Sequence, residues 1–438
     1  MPFSTLGLRD TIVKALAEVG YSNPTPIQQQ TIPVILQGKN LLAAAQTGTG
    51  KTASFVLPIL ERLADTQTDR KKRIRALILT PTRELAVQIQ SNIVAYAKHV
   101  GVSSFVIYGG VDEKPQKQAL LDGVDILVAT PGRLLDLYTQ RAVHFDELEV
   151  LVLDEADRML DMGFIEDINK IIDKLPSERQ SLLFSATLSN QVRALAKTAI
   201  HRPVEISVIA DKNSAPKISQ WLTTVDKDKK SALLSHLIKT ETWDQALIFI
   251  ETKQGAAKLV SQLEKRDIEA ECIHSGRSQP VREQILADFK SGKIKYLVAT
   301  GIASRGIDID DLSRVINYDL PYPADDYIHR IGRTGRAGAA GEAISFVSKD
   351  DFKNLCMIES RLGHLLERKV IDGFEPNKPV PESILNHMPK SRQNKPKTQD
   401  ERPTLSLGKS KSDNTDFRKS KTQKTPVKKG PKPNPWNL

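Results

Sequence analysis

The stretch that decides the fold is Leu41-Leu42-Ala43-Ala44-Ala45-Gln46-Thr47-Gly48-Thr49-Gly50-Lys51-Thr52. Its opening apolar run reads as a buried strand, and Thr52 to Leu60 reads as the start of a helix. Between them the pattern G-x-x-x-x-G-K-[ST] is met, with Ala45 in place of the first glycine. Gly48 and Gly50 let backbone N–H groups turn inward around phosphate oxygens, at a helix N-terminus that favours anions. Lys51 can reach the β- and γ-phosphates, and the Thr52 hydroxyl can ligate Mg²⁺. A glycine-rich turn of no special purpose is the alternative, and a second segment removes it. Val150-Leu151-Val152-Leu153 is another buried apolar run, followed at once by Asp154-Glu155-Ala156-Asp157. Asp154 at the end of a strand suits a Mg²⁺ contact, direct or through water. Glu155 suits orienting or deprotonating an attacking water. The two segments together imply binding and hydrolysis of a nucleoside triphosphate.

The same alternation extends along the chain. Ala76 to Leu79, Ile126 to Ala129 and Leu182 to Phe184 read as further buried parallel strands. Leu85, Ile89, Ile93 and Ala97 recur every four residues between two of them, as one helical face does. A second series follows: Ala246 to Ile250, Cys272-Ile273, Tyr296 to Val298, Val315-Ile316 and Ala343 to Val347, with helical stretches such as Ala256 to Leu263 between. The expected organisation is α/β, two tandem parallel-sheet domains with right-handed crossovers. Their bounds are 1–209 and 218–376, joined by the polar linker 210–217 and followed by a basic tail, 377–438.

Composition agrees with this. A chain of 438 residues with 39% hydrophobic and 26% charged residues has room for two or three domains. Two cysteines, Cys272 and Cys356, argue against a disulfide framework. There is no signal-peptide pattern at Met1 and no apolar run of membrane-span length, so a cytoplasmic protein with no membrane partner is expected. The net charge is +10, and +9 of it falls between Pro381 and Leu438. That segment is rich in Lys, Ser, Pro and Asn and reads as disordered. It could grip polyanionic RNA through salt-sensitive contacts, or simply solubilise the chain.

Polar motifs stand directly after apolar runs: Thr80-Pro81-Thr82-Arg83-Glu84, Thr130-Pro131-Gly132-Arg133, Ser185-Ala186-Thr187 and Thr300-Gly301. Ligands of open α/β sheets bind at the C-terminal ends of strands, so one edge of each sheet is loaded for binding.

In order and spacing, these motifs resemble those of the DEAD-box ATP-dependent RNA helicases, over Phe3 to about Pro376. The nearest likeness is to the bacterial RhlE-type subgroup, from Ser360 to Pro376 and the short basic tail. The resemblance implies two tandem RecA-like domains and an RNA-dependent ATPase using ATP and Mg²⁺. Gln28, in Gly20 to Gln28, would read the adenine edge, with Phe3 and Tyr21 supplying aromatic faces. Gln46, Thr47, Gly48, Thr49, Gly50, Lys51 and Thr52 would hold the phosphates, and Asp308 would touch the ribose. Lys51, Asp154, Glu155, Arg333 and Arg336 form the expected catalytic set, the two arginines coming from the second domain. Thr52 and Asp154 are the expected metal ligands. Ser185, Thr187 and His329 would couple hydrolysis to strand separation. For RNA, as single strand or short duplex, the resemblance points to Thr82, Arg83, Gly109, Gly110, Thr130, Arg133, Gln279, Arg282 and Thr300. Hydroxyls, backbone N–H groups and arginines grip a backbone without reading sequence, and 2′-hydroxyl contacts favour RNA over DNA. Possible partners are ribosome precursors or RNA-degradation machinery. Three positions depart from the family: Ala45, which is usual there; Tyr21 for Phe; and Gly301, where the family usually has Asp. Loss of that carboxylate bears on the coupling of ATP to RNA. Other readings are an ATP-gated RNA clamp, a DNA helicase, and a tail serving as a nuclear localisation signal.

Overall fold

The computed structural model describes residues 2–45, 48–64, 73–208, 218–301, 312–335, 341–383 and 385. All belong to one compact unit spanning residues 1–388.

The unit contains two seven-stranded parallel sheets. The first is built from β1 (Leu41–Ala44), β2 (Ala76–Leu79), β3 (Ser104–Ile107), β4 (Ile126–Ala129), β5 (Val150–Leu153), β6 (Gln180–Ser185) and β7 (Val204–Ser207). Its spatial order is β3-β4-β2-β5-β6-β1-β7. The second holds β8 (Ile218–Thr224), β9 (Ala246–Ile250), β10 (Ala270–Ile273), β11 (Tyr296–Thr300), β12 (Arg314–Asn317), β13 (Gly341–Val347) and β14 (Glu367–Arg368). Its order, β10-β11-β9-β12-β13-β8-β14, repeats the first strand for strand. The fold is a tandem pair of RecA-like α/β sheets.

Each apolar run is continuous because both of its faces are buried. In the first sheet Ala76, Ile78, Val150 and Val152 enter one core with Phe55, Ile89 and Ile93 from the covering helices. Leu77, Leu79, Leu151 and Leu153 enter the opposite core with Leu134, Met159 and Ile168. The period of two along each strand thus feeds two layers of helices, a three-layer sandwich around each sheet. The helix Arg83–Tyr96 begins at Thr82, whose Oγ1 accepts the N–H of Leu85 at 3.3 Å, satisfying a free donor of the first turn.

Four strands are not announced by an apolar run. β3 and β7 have half-buried or exposed faces. β8 flanks Trp221 and Leu222 with Ser219, Gln220, Thr223 and Thr224, and Trp221 Nε1 donates to Glu342 of β13 at 2.8 Å. β14 is a two-residue strand at the sheet edge.

The expected linker, 210–217, lies outside the described residues, as does nearly all of the tail. The start of the tail is not free: Asn377 donates its backbone and side-chain N–H groups to Asp226 at 3.0 and 2.6 Å, and Ser383 is buried. The chain is therefore held against the second sheet's domain up to Ser383, past the expected boundary at 376.

Candidate active site and nucleic-acid interface

The phosphate loop leaves β1 and re-enters regular structure at Lys51, the first residue of the helix Lys51–Ala64. Gly48 and Gly50 have φ of +80° and +91°, the left-handed region that glycine supplies without cost. A Cβ on Gly50 would overlap the side-chain amide of Gln28. Gln28 Nε2 donates to the carbonyl of Gly50 at 3.1 Å, and Gln28 Oε1 accepts the N–H of Thr25 at 2.9 Å. The glutamine expected at the adenine edge therefore also braces the loop, keeping one N–H and one lone pair for a base.

Lys51 is the most informative group. It is 7% exposed, and among the described residues its Nζ has no hydrogen-bond partner. A buried ammonium without a partner is costly, and a phosphate would satisfy it. The second sheet provides the control. Lys230 opens the helix after β8, the place that Lys51 takes after β1. Its Nζ is fully engaged: the Tyr318 carbonyl at 2.8 Å, Asp351 at 3.0 Å and Asp319 at 3.4 Å. The same topological position is open to an anion in one sheet and neutralised in the other.

Asp154 and Glu155 follow β5, and both are buried. Glu155 has φ +51° and ψ +51°, a left-handed conformation that turns its carboxylate out of the strand line. Burial pushes the Asp154 carboxyl up, and Lys51 opposes the shift. Burial also acts to raise Glu155, but Arg158, Lys51 and Arg333 more than offset it and hold the group below its ordinary value. Glu155 Oε2 lies 3.2 Å from Arg158 Nη1. The second domain reaches this edge through the helix Asp325–Ile331 and Arg333. Burial, then Arg158, pushes His329 down to about 3, so its imidazole is neutral. A cavity of about 10 Å³ is lined by Arg158 of the first domain and by Phe249, Gly301, Asp326, His329, Arg330 and Arg333 of the second. Gly301 sits beside Arg330: a Cβ there would lie 3.5 Å from Arg330 Nη2.

Asp157 and Arg158 belong to this site, although the sequence alone assigns neither a role. Asp157 Oδ2 accepts the N–H groups of Ala186 and Thr187, each at 3.1 Å, and the Thr187 hydroxyl at 3.3 Å. Ser185 Oγ donates to the Thr187 carbonyl at 2.7 Å. The acidic turn after β5 thereby fixes the turn after β6, its neighbour in the sheet.

The residues expected at RNA lie on the C-terminal edges of both sheets. In the first, the Arg83 guanidinium lies across the Gly110 backbone, where φ is +82° and any Cβ would collide with it. Arg133 Nη2 donates to the Val111 carbonyl at 3.2 Å, while its buried Nε and Nη1 have no hydrogen-bond partner among the described residues. Thr82 caps the helix after β2 with its hydroxyl, and Thr130 holds the N-cap position of the helix after β4 without a side-chain capping bond. In the second, Thr300 ends β11, and Gln279 and Arg282 open the helix Gln279–Lys290. Arg282 reaches Glu84 of the first domain, with Nη2 at 2.6 Å from Oε1.

Phe3 is 3% exposed and belongs to the first sheet's core. Tyr21 is 45% exposed, with its ring 6.0 Å from that of Tyr96. Gln46, Thr47, Asp308 and Arg336 lie outside the described residues. No group of three or more His, Cys, Asp or Glu side chains that could hold a metal occurs among the described residues. Among them, no helix is long and apolar enough to cross a membrane.

Known proteins share this fold and sequence pattern. Residues 25–195 match the DEAD/DEAH box helicase family, and residues 228–338 match the helicase conserved C-terminal domain. The ATP-dependent RNA helicase CshA of Listeria monocytogenes is 43% identical over 359 residues, 82% of this chain and 68% of that protein. The DEAD-box ATP-dependent RNA helicase RhpA of Helicobacter pylori is 38% identical, over 83% of this chain and 73% of the relative. Among solved structures, S. cerevisiae Dbp5 bound to RNA and ADP BeF3 superposes with a TM-score of 0.76 at 33% identity, covering 85% of this chain and 96% of that one. Mss116p bound to ssRNA and AMP-PNP gives 0.74 at 30% identity, covering 85% and 80%. With two RecA-like sheets in tandem and relatives at this level of identity, the chain belongs to the DEAD-box ATP-dependent RNA helicases.

Proposed function

We propose that this RNA-dependent ATPase grips RNA by its backbone, without sequence preference, and locally unwinds short duplexes or remodels RNA–protein complexes. One observation carries the reading: the unpartnered Lys51 ammonium and the Glu155 carboxylate of one domain are faced by Arg333 and His329 of the other. A site of that kind is complete only when the domains are together, so nucleotide and RNA, each spanning both domains, favour one another's binding.

In this reading Lys51 and Arg333, with Arg336, hold charge that develops on the γ-phosphate. Glu155, ionised and placed by Arg158, orients the attacking water and takes its proton. Gln28 selects adenine, Tyr21 flanks the base, and Asp308 holds the ribose. Thr52 and Asp154 fit Mg²⁺, since they offer two hard oxygen donors and Asp154 is a buried carboxylate that a cation would stabilise. When bound, Mg²⁺ neutralises phosphate charge. Asp157 links Glu155's turn to Ser185-Ala186-Thr187, a short route from hydrolysis to the interdomain contacts. RNA lies along Thr82, Arg83, Gly110, Thr130 and Arg133, then Gln279 and Thr300. We further place its work in the cytoplasm, in ribosome assembly or RNA turnover, with the basic tail as a salt-sensitive RNA tether.

The test is release of a strand from a short RNA duplex. Wild type should release it with ATP, and Glu155→Gln should bind RNA and ATP without turnover or release. Rapid hydrolysis by that variant removes Glu155 from this role. A second reading, an ATP-gated RNA clamp, is favoured by Gly301, which itself brings no carboxylate to Arg330. Duplex that stays bound in the presence of ATP supports the clamp.

A further inference from the structure

The helix Lys114–Asp122 is anchored by a glutamine rather than by an apolar stripe. Among its described residues only Gln116 is buried, at 5% exposure, while Leu121 stands 56% exposed. A helix that packs on a sheet ordinarily buries apolar side chains. Burying a glutamine instead costs desolvation and rotamer entropy unless its amide is put to use. Gln116 Oε1 accepts the N–H of Tyr108 at 3.1 Å, and Gln116 Nε2 donates to the carbonyls of Tyr108 and Asp112, each at 3.2 Å. Both donors of the amide and one lone pair of its oxygen are thereby engaged.

β3 is an edge strand of the first sheet, and Tyr108 is the residue that follows it. By bonding both backbone groups of Tyr108, the Gln116 amide stands where a further strand would pair. The chain then turns through Gly109, Gly110 and Val111 to Asp112, whose carbonyl the same amide holds. A trans peptide is planar, with its carbonyl and its N–H pointing opposite ways. Fixing the Tyr108 carbonyl on Gln116 therefore aims the Gly109 N–H away from that amide. Gly110, at φ +82°, continues the turn beneath the Arg83 guanidinium, and Arg133 Nη2 holds the Val111 carbonyl at 3.2 Å. Three side chains frame the loop, and Gln116 is the uncharged, buried one.

We propose that Gln116 is a positioning residue for RNA. It presets the 108–112 loop so that the Gly109 N–H meets a backbone phosphate without rearrangement, and it touches neither RNA nor nucleotide itself. A donor already held in its bound direction binds more tightly, because its ordering cost is met on folding rather than on binding. This inference rests on the reading that the Gly109-Gly110 loop faces RNA, and adds to it the group that shapes the loop.

The experiment is a titration of the full chain with a single-stranded RNA. It is read by RNA-stimulated ATP hydrolysis and by the amide spectrum of protein labelled with nitrogen-15 at glycine. Gln116→Met keeps an unbranched, helix-favouring side chain and removes the three hydrogen bonds. The RNA concentration for half-maximal stimulation should rise about tenfold or more, the scale of one hydrogen bond to a charged group. The rate at saturating RNA, and nucleotide affinity without RNA, should stay at wild type. RNA should shift the Gly109 signal of wild type and leave it unshifted in Gln116→Met, with the phosphate-loop glycines unchanged between the two. Gln116→Glu keeps an acceptor for the Tyr108 N–H but turns the donors into oxygens that face two carbonyls, so it should lose at least as much RNA affinity. If either variant binds RNA like wild type, Gln116 positions nothing and the inference is overturned. Equal losses of nucleotide affinity and RNA affinity mark a merely structural role and overturn it as well. If RNA stimulates wild type yet leaves Gly109 unmoved, the inference falls while the helicase reading stands. RNA that neither binds wild type nor stimulates it removes that reading, and the inference with it.

Discussion

Replacing Asp157 with Ala tests whether the acidic turn governs the turn after β6. The Asp157 carboxylate accepts two backbone N–H groups and one hydroxyl from Ala186 and Thr187. Hydrogen bonds to a charged group contribute about 1.5–3 kcal/mol each. The segment is only partly buried, and Thr187 N keeps a bond to Ser185 Oγ at 3.3 Å, so the sum must be discounted. A local loss of about 2–4 kcal/mol remains, a factor of about 30–700 in an opening equilibrium. Amide hydrogen exchange at Ala186 and Thr187 should accelerate by that factor, while exchange in β1 and β5 stays near wild type. ATP-driven strand release should fall further than ATP hydrolysis, because the lost contact lies between the two events. Unchanged exchange at Ala186 and Thr187 would refute the reasoning, since the bonds would then be holding nothing.

Gly50→Ala adds a methyl group at φ +91°, against the Gln28 amide, and should weaken ATP binding at least about tenfold, read by nucleotide titration. Gly301→Asp returns a carboxylate beside Arg330 and should raise RNA-stimulated ATP hydrolysis about fivefold or more, within ordinary coupling energies; a fall would mean that this interface requires the glycine. The Glu18 carboxyl is held down to about 2, first by hydrogen bonds from Lys98 and His99, which tie the helix Asp10–Glu18 to the end of the helix Arg83–Tyr96. A depressed carboxyl stabilises the fold above its unfolded value of 4.5, and that contribution is lost as pH falls from there through about 2. The urea midpoint of Glu18→Gln should therefore lie below wild type at neutral pH, with the gap closing below pH 4.5.

Most of the architecture was legible because it is written in burial on two faces. β1, β2, β4, β5, β6 and β9 to β13 are apolar runs wherever helices cover both sides, and the site motifs stand at their C-terminal ends. β3, β7, β8 and β14 escaped because an edge strand, or one that pairs polar side chains such as Trp221 with Glu342, has no such run. In the site, the phosphate loop is a local pattern and could be read locally. Asp157, Arg158 and Glu84 act through partners that no spacing rule connects to them: nothing points to Ala186 from Asp157 or to Arg282 from Glu84. Phe3 shows the opposite case: an aromatic near an adenine motif reads as a stacking ring, and its place in the core has no local signal in the sequence. The contrast between Lys51 and Lys230 appears only when the two sheets are compared strand by strand.

Coupling of ATP to RNA through one cleft across two domains should be visible in steady-state ATP hydrolysis with no nucleic acid, with single-stranded RNA and with DNA of matched sequence. Strong stimulation by RNA and little by DNA is the predicted result. Equal rates in all three, with RNA bound, would contradict it.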